Sequence, residues 1–528
     1  MASAPPARGV TVGPPSPPAA IEDVAALPVR NPWLVVVGVM IASLIQILDT
    51  TIANVAIPHM QASLGATRDE VSWVLTSYIV ASAVALPITG WLADRVGSRR
   101  LFLLSTFGFV IASMLCGVAQ TITEMVAFRA LQGVAGAFIA PLSQAAMLDV
   151  NKPSRQPQMM AIWGMGIMMG PILGPLVGGW LTENWNWRWV FFVNVPLGAI
   201  ALAILATELP SRAITRRRFD LFGFAMVAMA IACLQLMLDR GNGEDWFDSA
   251  EIWFYAMAVL GCGWVGAIHL STSRNQPLFD RALFADRNFF ASMLFMFAIG
   301  IVMFATMALL PPMLQNLFGY SVIDTGWVLM PRGVGTLISM QIAGFLTRRG
   351  GDPRMIVAMG FILVAASFYE MSGWSLAVDE RSIVTSGFLQ GLGMGLVFIP
   401  LNVAAFATLP PRLRTDGSSL LNLFRSLGGS IGISVTTSLL ALNIQRGHEE
   451  LGAHITASSL SVIDVSTVDR FQTYGQAGLS MIDREINRQA AMVGYVDDFY
   501  LMMWLSILAV PLVLMLRKPP RPVIAPGR

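Results

Sequence analysis

The chain has 528 residues, of which 55% are apolar and only 12% charged, against about a quarter charged in ordinary globular proteins. Its net charge of +2 gives no basic surface of the kind nucleic acid requires. The apolar residues gather into uninterrupted runs of about 18 or more, long enough to cross a hydrocarbon core of ~30 Å, and this excludes a water-soluble fold.

In chain order, residues 1–30 are rich in Pro and Ala and contain no continuous apolar core, so they read as a disordered cytoplasmic tail rather than a signal peptide. Breaking the apolar runs at charged or Gly/Pro-rich turns predicts spans near 33–57, 73–93, 101–120, 125–147, 158–182 and 188–208. Two more follow at 221–240 and 251–271, and a second block at 289–314, 325–347, 355–372, 382–408, 418–442 and 499–516, fourteen in all. Residues 443–498 form a long polar stretch with helix-like patterning around Val468–Phe471 and Met481–Ile486; it reads either as a solvated flap or as a docking surface. Residues 518–528 form a second tail.

With a cytoplasmic amino terminus, 23 of the 34 Lys and Arg residues fall in cytoplasmic tails and loops, 8 outside and 3 within spans, as the positive-inside rule requires. Both termini are then expected in the cytoplasm. Cys116, Cys233 and Cys262 lie in apolar runs without close spacing and read as small core residues.

The two blocks repeat at a displacement of about 254 to 258 residues. Gly90-Trp-Leu92-Ala-Asp94-Arg95-Val-Gly97 answers to Gly344-Phe-Leu346-Thr-Arg348-Arg349-Gly-Gly351, Leu131-Gln132-Gly133 to Leu389-Gln390-Gly391, and Gly170-Pro-Ile-Leu-Gly174 to Gly428-Gly-Ser-Ile-Gly432. The expected architecture is an all-α membrane protein of two six-helix bundles, 31–210 and 276–517, with two helices inserted at 211–275. Transporters built this way bind substrate near the midplane between halves.

Ionisable groups inside spans are costly and mark ion pathways or pair with one another. Asp49 lies about sixteen residues into the first span, roughly 24 Å from its start at ~1.5 Å per residue, and Arg129 enters the fourth span from the opposite side, so the two share a depth. The functional reading is a proton carrier, Asp49, whose titration is switched by Arg129, since desolvation favours the neutral acid and a guanidinium the carboxylate. The plainer alternative is a static pair or a carboxylate facing water. Asp49 is read as the one carboxylate deep in a span. The second half has Gly387 where the first has Arg129 and apolar Ile301–Phe304 where the first has Asp49, which confines the expected proton chemistry to the first half.

Asn54, Gln132, Arg332, Gln390, Asn402 and Arg425 are the polar residues within spans expected at a substrate cavity. Arg332 and Arg425, without an evident acidic partner, either anchor on backbone carbonyls or contact cargo. Gly166, Gly170, Gly174 and Gly178, four residues apart, form a bare stripe where another helix approaches closely; beside them Pro171 and Pro175 kink the span and Gly179 follows. The stripe is expected at the seam between halves. Gly90, Asp94, Arg95, Gly97, Arg99 and Arg100 turn the chain between spans two and three, with Asp94 expected to pair with Arg95 or Arg99, or to cap a neighbouring helix, as a latch. The 31 methionines are mostly lipid-facing or core filler on this reading.

A phosphate-binding loop needs Gly-Lys-Ser/Thr, and neither Lys152 nor Lys518 has that setting. The four histidines show no zinc-ligand spacing. No catalytic centre is expected, and no cofactor.

The sequence resembles the major facilitator superfamily and, within it, the fourteen-span drug:proton antiporters of the EmrB/QacA type, over roughly residues 33–517. The resemblance rests on Leu48-Asp-Thr-Thr-Ile-Ala-Asn54-Val-Ala-Ile-Pro58, Gly90 to Arg100, Arg129-Ala-Leu-Gln-Gly133 and Gly170-Pro-Ile-Leu-Gly-Pro-Leu-Val-Gly-Gly179. Trp187-Arg-Trp-Val-Phe-Phe-Val-Asn194-Val-Pro-Leu-Gly198 and Leu238-Asp-Arg-Gly241 followed by Asp245-Trp246 look most like the EmrB branch. It implies a multidrug exporter of the bacterial inner membrane, driven by protons, with a periplasmic adaptor protein and an outer-membrane channel as partners and 443–498 as their docking site. Where some relatives that favour dicationic drugs carry an acid in the tenth span, this chain has Arg332, which points to neutral or anionic hydrophobic cargo. The alternatives are a carrier dedicated to one metabolite, lipid or siderophore, and a membrane sensor or scaffold without turnover.

Overall fold

The computed structural model describes residues 23–215, 217–273, 277–454 and 476–517. Among the described residues thirteen helices are long and apolar enough to cross a membrane: α1 (Pro32–Leu64), α2 (Asp69–Val96), α3 (Ser98–Val118), α4 (Ile122–Val150), α5 (Gln156–Asn184), α6 (Trp189–Glu208), α7 (Leu221–Arg240), α8 (Ala250–Thr272), α9 (Arg287–Leu317), α11 (Pro353–Ser372), α12 (Glu380–Ala407), α13 (Pro411–Ala453) and α14 (Ser480–Met515). A fourteenth, α10 (Val322–Arg348), runs among them. It packs chiefly against α12 and α5, and Arg332 with Gly326, Gly333, Gly335 and Gly344 makes it less apolar. Among the described residues there is no strand.

Local chemistry sets the helix ends. α1 stops at Gly65 in the left-handed region, φ 63°, which glycine adopts without a Cβ penalty. Thr67 and Glu70 close a capping box on the next helix, with bonds of 2.8 and 3.2 Å. Asp220, Ser249, Asp286, Ser321, Asp352 and Asp379 accept a backbone N–H at the starts of α7 to α12 in turn.

α1–α6 form one bundle and α9–α14 the other. They meet where α5 packs on α10 and α12, and where α13 packs on α4 and α2. The inserted α7 lies against α2 of the first bundle and α13 of the second, whereas α8 packs chiefly on α7 and exposes Trp253, Phe254, Leu260 and Trp264, an apolar face suited to acyl chains.

Both described ends of the chain lie on one face. Asp23 accepts from the Ser154 backbone and hydroxyl at 2.9 and 2.8 Å, and Leu27 N–H donates to the Asp149 carbonyl at 2.9 Å, while Arg517 N–H donates to Asn288 at 2.7 Å. The tail expected to be disordered over 1–30 is thus seated from Asp23 onward; residues 1–22 and 518–528 lie outside the described residues.

Residues 443–498 are not a loop throughout. α13 continues to Ala453 and the last helix begins at Gln476, so both project beyond the face opposite the chain ends. Their charged residues suit solvent, which hid the continuity from a hydropathy reading. The patterned Val468–Phe471 stretch lies outside the described residues.

Candidate functional site

Asp49 is 1% and Arg129 0% exposed, and their ion pair closes at 2.6 Å. Asp49 accepts three hydrogen bonds: from Arg129 Nη1 at 2.6 Å, from Gln132 Nε2 at 2.8 Å and from Asn194 Nδ2 at 2.7 Å. An all-acceptor role is the one a carboxylate fills. Arg129 is itself held on three sides. Its Nε donates to the Val74 carbonyl at 3.1 Å, Nη1 also reaches Gln132 Oε1 at 2.8 Å, and the guanidinium lies over the Tyr78 ring, 4.5 Å from its centroid. Four helices, α1, α2, α4 and α6, contribute to this knot.

Two residues beyond Asp49, Thr51 lines a cavity of about 510 Å³ between the bundles, walled by α1 and α5 on one side and α9, α10 and α12 on the other. That size suits a drug-sized ligand. Six methionines, Met168, Met303, Met307, Met330, Met340 and Met394, face it, so these are neither filler nor lipid contacts; their flexible thioethers mould to varied apolar ligands.

The six polar candidates divide. Asn54 and Arg332 line the cavity. Gln132 belongs to the Asp49 knot instead. Gln390 lies behind the wall and donates to Thr306 at 3.4 Å. Asn402 and Arg425 border a small crevice on the chain-end side, with Gln144 and Trp163, and Arg425 bonds Asn422 at 3.0 Å. The reading that placed all six at the cavity is corrected for these four: depth alone does not say which wall a residue faces.

Arg332 has no acid within ion-pair distance among the described residues. Among the described residues its guanidinium makes one hydrogen bond, a loose 3.5 Å approach to the Met303 carbonyl. At a displacement of 254 residues, Met303 answers to Asp49, and the absent Cβ of Gly387, which answers to Arg129, would sit 3.7 Å from the Arg332 Cβ. The second half therefore brings a guanidinium to the matching place from a different helix and offers it no counter-ion.

The cavity lies toward the face opposite the chain ends, and the chain-end side is sealed. Gln144, 1% exposed, donates to Asn402 and accepts from Ser418, joining α4 to α12 and α13. Beyond this plug, the described residues of the linker 209–220 touch both bundles. Arg217 pairs with Asp94 of α2 at 2.7 Å and with Asp416 of α13 at 2.9 Å. Arg212 pairs with Asp149 at 2.5 Å, which also holds Arg414 at 2.9 Å. Burial disfavours the Arg217 charge, but Asp416 and then Asp94 outweigh it and hold the guanidinium above its usual range.

Asp94 thus pairs with a linker arginine rather than with Arg95 or Arg99. Arg95 lies over Trp91 at 5.3 Å, Arg99 donates to the Ala206 carbonyl, and Arg100 is exposed. Gly97 adopts φ 97°, a conformation that disfavours any side chain, and a Cβ on Gly90 would run into the Asp416 carboxylate.

The glycine stripe faces α1 within its own bundle, not the other half. A Cβ at Gly166, Gly170, Gly174 or Gly178 would meet Met40, Ile47, Thr51 or Ile52, and Thr51 donates to the Gly170 carbonyl at 3.2 Å. Gly179, by contrast, has open space around it, and Pro171 and Pro175 line the cavity. The seam between halves is built the other way round: glycines of α10 receive α5, with Gly333 against Ile172, Gly326 against Leu176 and Gly344 against Ala161.

Asn194 and Gln144 are functional-site residues that the sequence reading did not single out as such; both are uncharged, and their one signal is an amide in an apolar run. Asp149, Asp416 and Asp498 are buried at 3%, 2% and 1% inside helices, so Asp49 is not the one carboxylate so placed. The predicted spans 125–147, 418–442 and 499–516 each stop one or two residues short of them.

Two helical bundles around a central cavity, with a buried ion pair beside it, define a membrane transporter. The Major Facilitator Superfamily matches residues 39–433, and the chain belongs to that family. It is 33% identical to the multidrug export protein EmrB of Haemophilus influenzae over 495 residues, 92% of this chain and 96% of that one. With EmrB of Escherichia coli K12 it shares 36% over 430 residues, 80% and 83% of the two chains, and with the fatty acid resistance protein FarB of Neisseria gonorrhoeae 34% over 486 residues, 91% and 95%. The human organic anion transporter MFSD10 has the same fold, with a TM-score of 0.58 at 16% identity, covering 90% of this chain and all of that one.

Proposed function

We propose that this protein exchanges external protons for hydrophobic compounds exported across a bacterial inner membrane, with both termini in the cytoplasm. The arrangement of the Lys and Arg residues supports that orientation, and the cavity then faces the periplasm. The carrying observation is the Asp49–Arg129 pair, buried and joined through Thr51 to both the cavity wall and α5. A proton arriving at Asp49 removes the negative partner of Arg129 and leaves its guanidinium with the Val74 carbonyl, Gln132 and the Tyr78 ring. α1 is then free to shift against α5 along the glycine stripe, beside the kinks at Pro171 and Pro175. Each charge crossing the membrane contributes ~2.3 kcal/mol per 100 mV to uphill export. The relatives named multidrug export proteins support the direction and breadth of transport.

The test is Asp49→Asn in sealed proteoliposomes. Uphill export of a hydrophobic drug and drug-dependent proton flux should both fall to background, while size-exclusion behaviour stays that of the parent. Full proton-coupled export by the variant would refute the assignment.

A narrower reading has support of its own. Arg332 without a counter-ion in an apolar cavity and the similarity to a fatty acid resistance protein favour amphiphilic acids among the cargo. A growth-inhibition panel of acidic, neutral and cationic amphiphiles separates a broad exporter from one dedicated to acids. The projecting ends of α13 and α14 offer a docking surface for a periplasmic adaptor, which would lead cargo on to an outer-membrane channel.

A further inference from the structure

Asp498 lies in α14, the last helix of the second bundle. At ~1.5 Å per residue it stands roughly 27 Å from the chain-end side of that helix, a depth matching that of Asp49 in α1. It is 1% exposed, and neither carboxyl oxygen has a hydrogen-bond partner among the described residues. Asp49, by contrast, has three.

Among the described residues the surroundings offer no cation. Phe499 stacks on Phe368 of α11 at 6.4 Å and meets Trp374 edge-on at 5.7 Å, and the Trp374 indole N–H is likewise buried without an acceptor. α13 has no ionisable residue between Arg425 and Arg446, and α9 none after Arg287. On α11, Tyr369 and Glu370 are exposed and are the only ionisable residues after Arg354. On α14 itself, buried Tyr495 and exposed Asp497 flank the site, and Asp497 can add only like charge. Among the described residues an ionised carboxylate here has neither a hydrogen-bond donor nor a counter-ion, and the neutral acid escapes that penalty.

We propose that Asp498 is a second proton-binding site, placed in the half of the molecule that lacks the Asp49–Arg129 pair and loaded from the face opposite the chain ends. Asp497, exposed, stands one residue nearer that face. Proton chemistry is then not confined to the first bundle, and the site stands whether or not Asp49 carries the coupling proton.

The experiment is infrared difference spectroscopy of the full-length protein in lipid, titrated in pH. The parent should show a neutral carboxylic-acid carbonyl absorption at neutral pH that survives in Asp49→Asn and disappears in Asp498→Asn, an isosteric replacement for a protonated acid. In Asp498→Glu, which retains the carboxyl should the amide variant not fold, the absorption should shift rather than vanish. In proteoliposomes, the dependence of export on periplasmic-side pH should lose one titrating group in Asp498→Asn. An absorption untouched by either substitution at 498, or a pH profile of Asp498→Asn superimposable on the parent's, would overturn the proposal.

Discussion

Arg129 reaches three acceptors and a ring face at once, which only a planar guanidinium with several fixed donors can do. Arg129→Lys keeps the charge but loses guanidinium bonds to the Val74 carbonyl and Gln132, so it should lose most export; a hydrogen bond from a charged group contributes about 1.5–3 kcal/mol, and its loss is read as a lower unfolding temperature in detergent. Asn194→Ala removes one donor to a charged acceptor, worth about 1.5–3 kcal/mol, and should lower that temperature less while weakening proton coupling. Asp49 and Arg129 were legible in the sequence because a charge in an apolar run advertises itself. Asn194 was not: an amide carries no such signal, and its meaning comes from a partner 145 residues away. Arg332 was legible as a cavity charge, and it does line the cavity, but not as one facing the site that answers to Asp49. Its isolation there predicts that Arg332→Ala lowers the resistance conferred against acidic amphiphiles more than against neutral ones, and that Arg332→Glu shifts the preference toward cations, both read as changes in inhibitory concentration.

At the scale of helices, the four-residue glycine spacing told correctly that α5 has a bare stripe and misled about what fills it. Spacing fixes which residues share a face, not which neighbour meets that face, and the partner turned out to be α1 of the same bundle. The inter-bundle contact is carried by α10 glycines seven and eleven residues apart, Gly326, Gly333 and Gly344, which share one helix face but make no unbroken four-residue stripe. The same limit hid the length of α13 and α14, whose projecting turns are polar and read as loop. The two seams can be told apart. Gly174→Val drives a branched side chain into Thr51 and should destabilise the first bundle itself, lowering the unfolding temperature. Gly333→Val meets Ile172 across the cavity wall, in the side facing away from the chain ends. It should leave each bundle intact and instead wedge the α5–α10 contact apart, so that export falls with little change in unfolding temperature. Equal loss of stability in the two variants would show that this division between seams is wrong.

For the molecule as a whole, the conformation is held closed at the chain-end side by a segment that belongs to neither bundle. Residues 209–220 leave α6 and feed the inserted helices, and on the way Arg217 binds Asp94 of one bundle and Asp416 of the other. Asp416 is 2% exposed and seated directly on Gly90, so the two acids face each other across the seam with Arg217 between them. Removing the arginine does more than delete two attractions, because it leaves two carboxylates in repulsion with one of them nearly dry, where screening by salt is weak. Arg217→Ala should therefore shift the population toward a conformation open on the chain-end side. Spin labels at exposed Lys152 and Arg349, one on each bundle, should record this as a longer distance. Adding Asp416→Asn to Arg217→Ala removes the repulsion without restoring the bridge, so the double variant should return part of the way to the parental distance. A double variant as open as Arg217→Ala would mean that the bridge acts by attraction alone; an unchanged distance in both would mean that the Gln144, Asn402 and Ser418 plug closes this side without help from the strap.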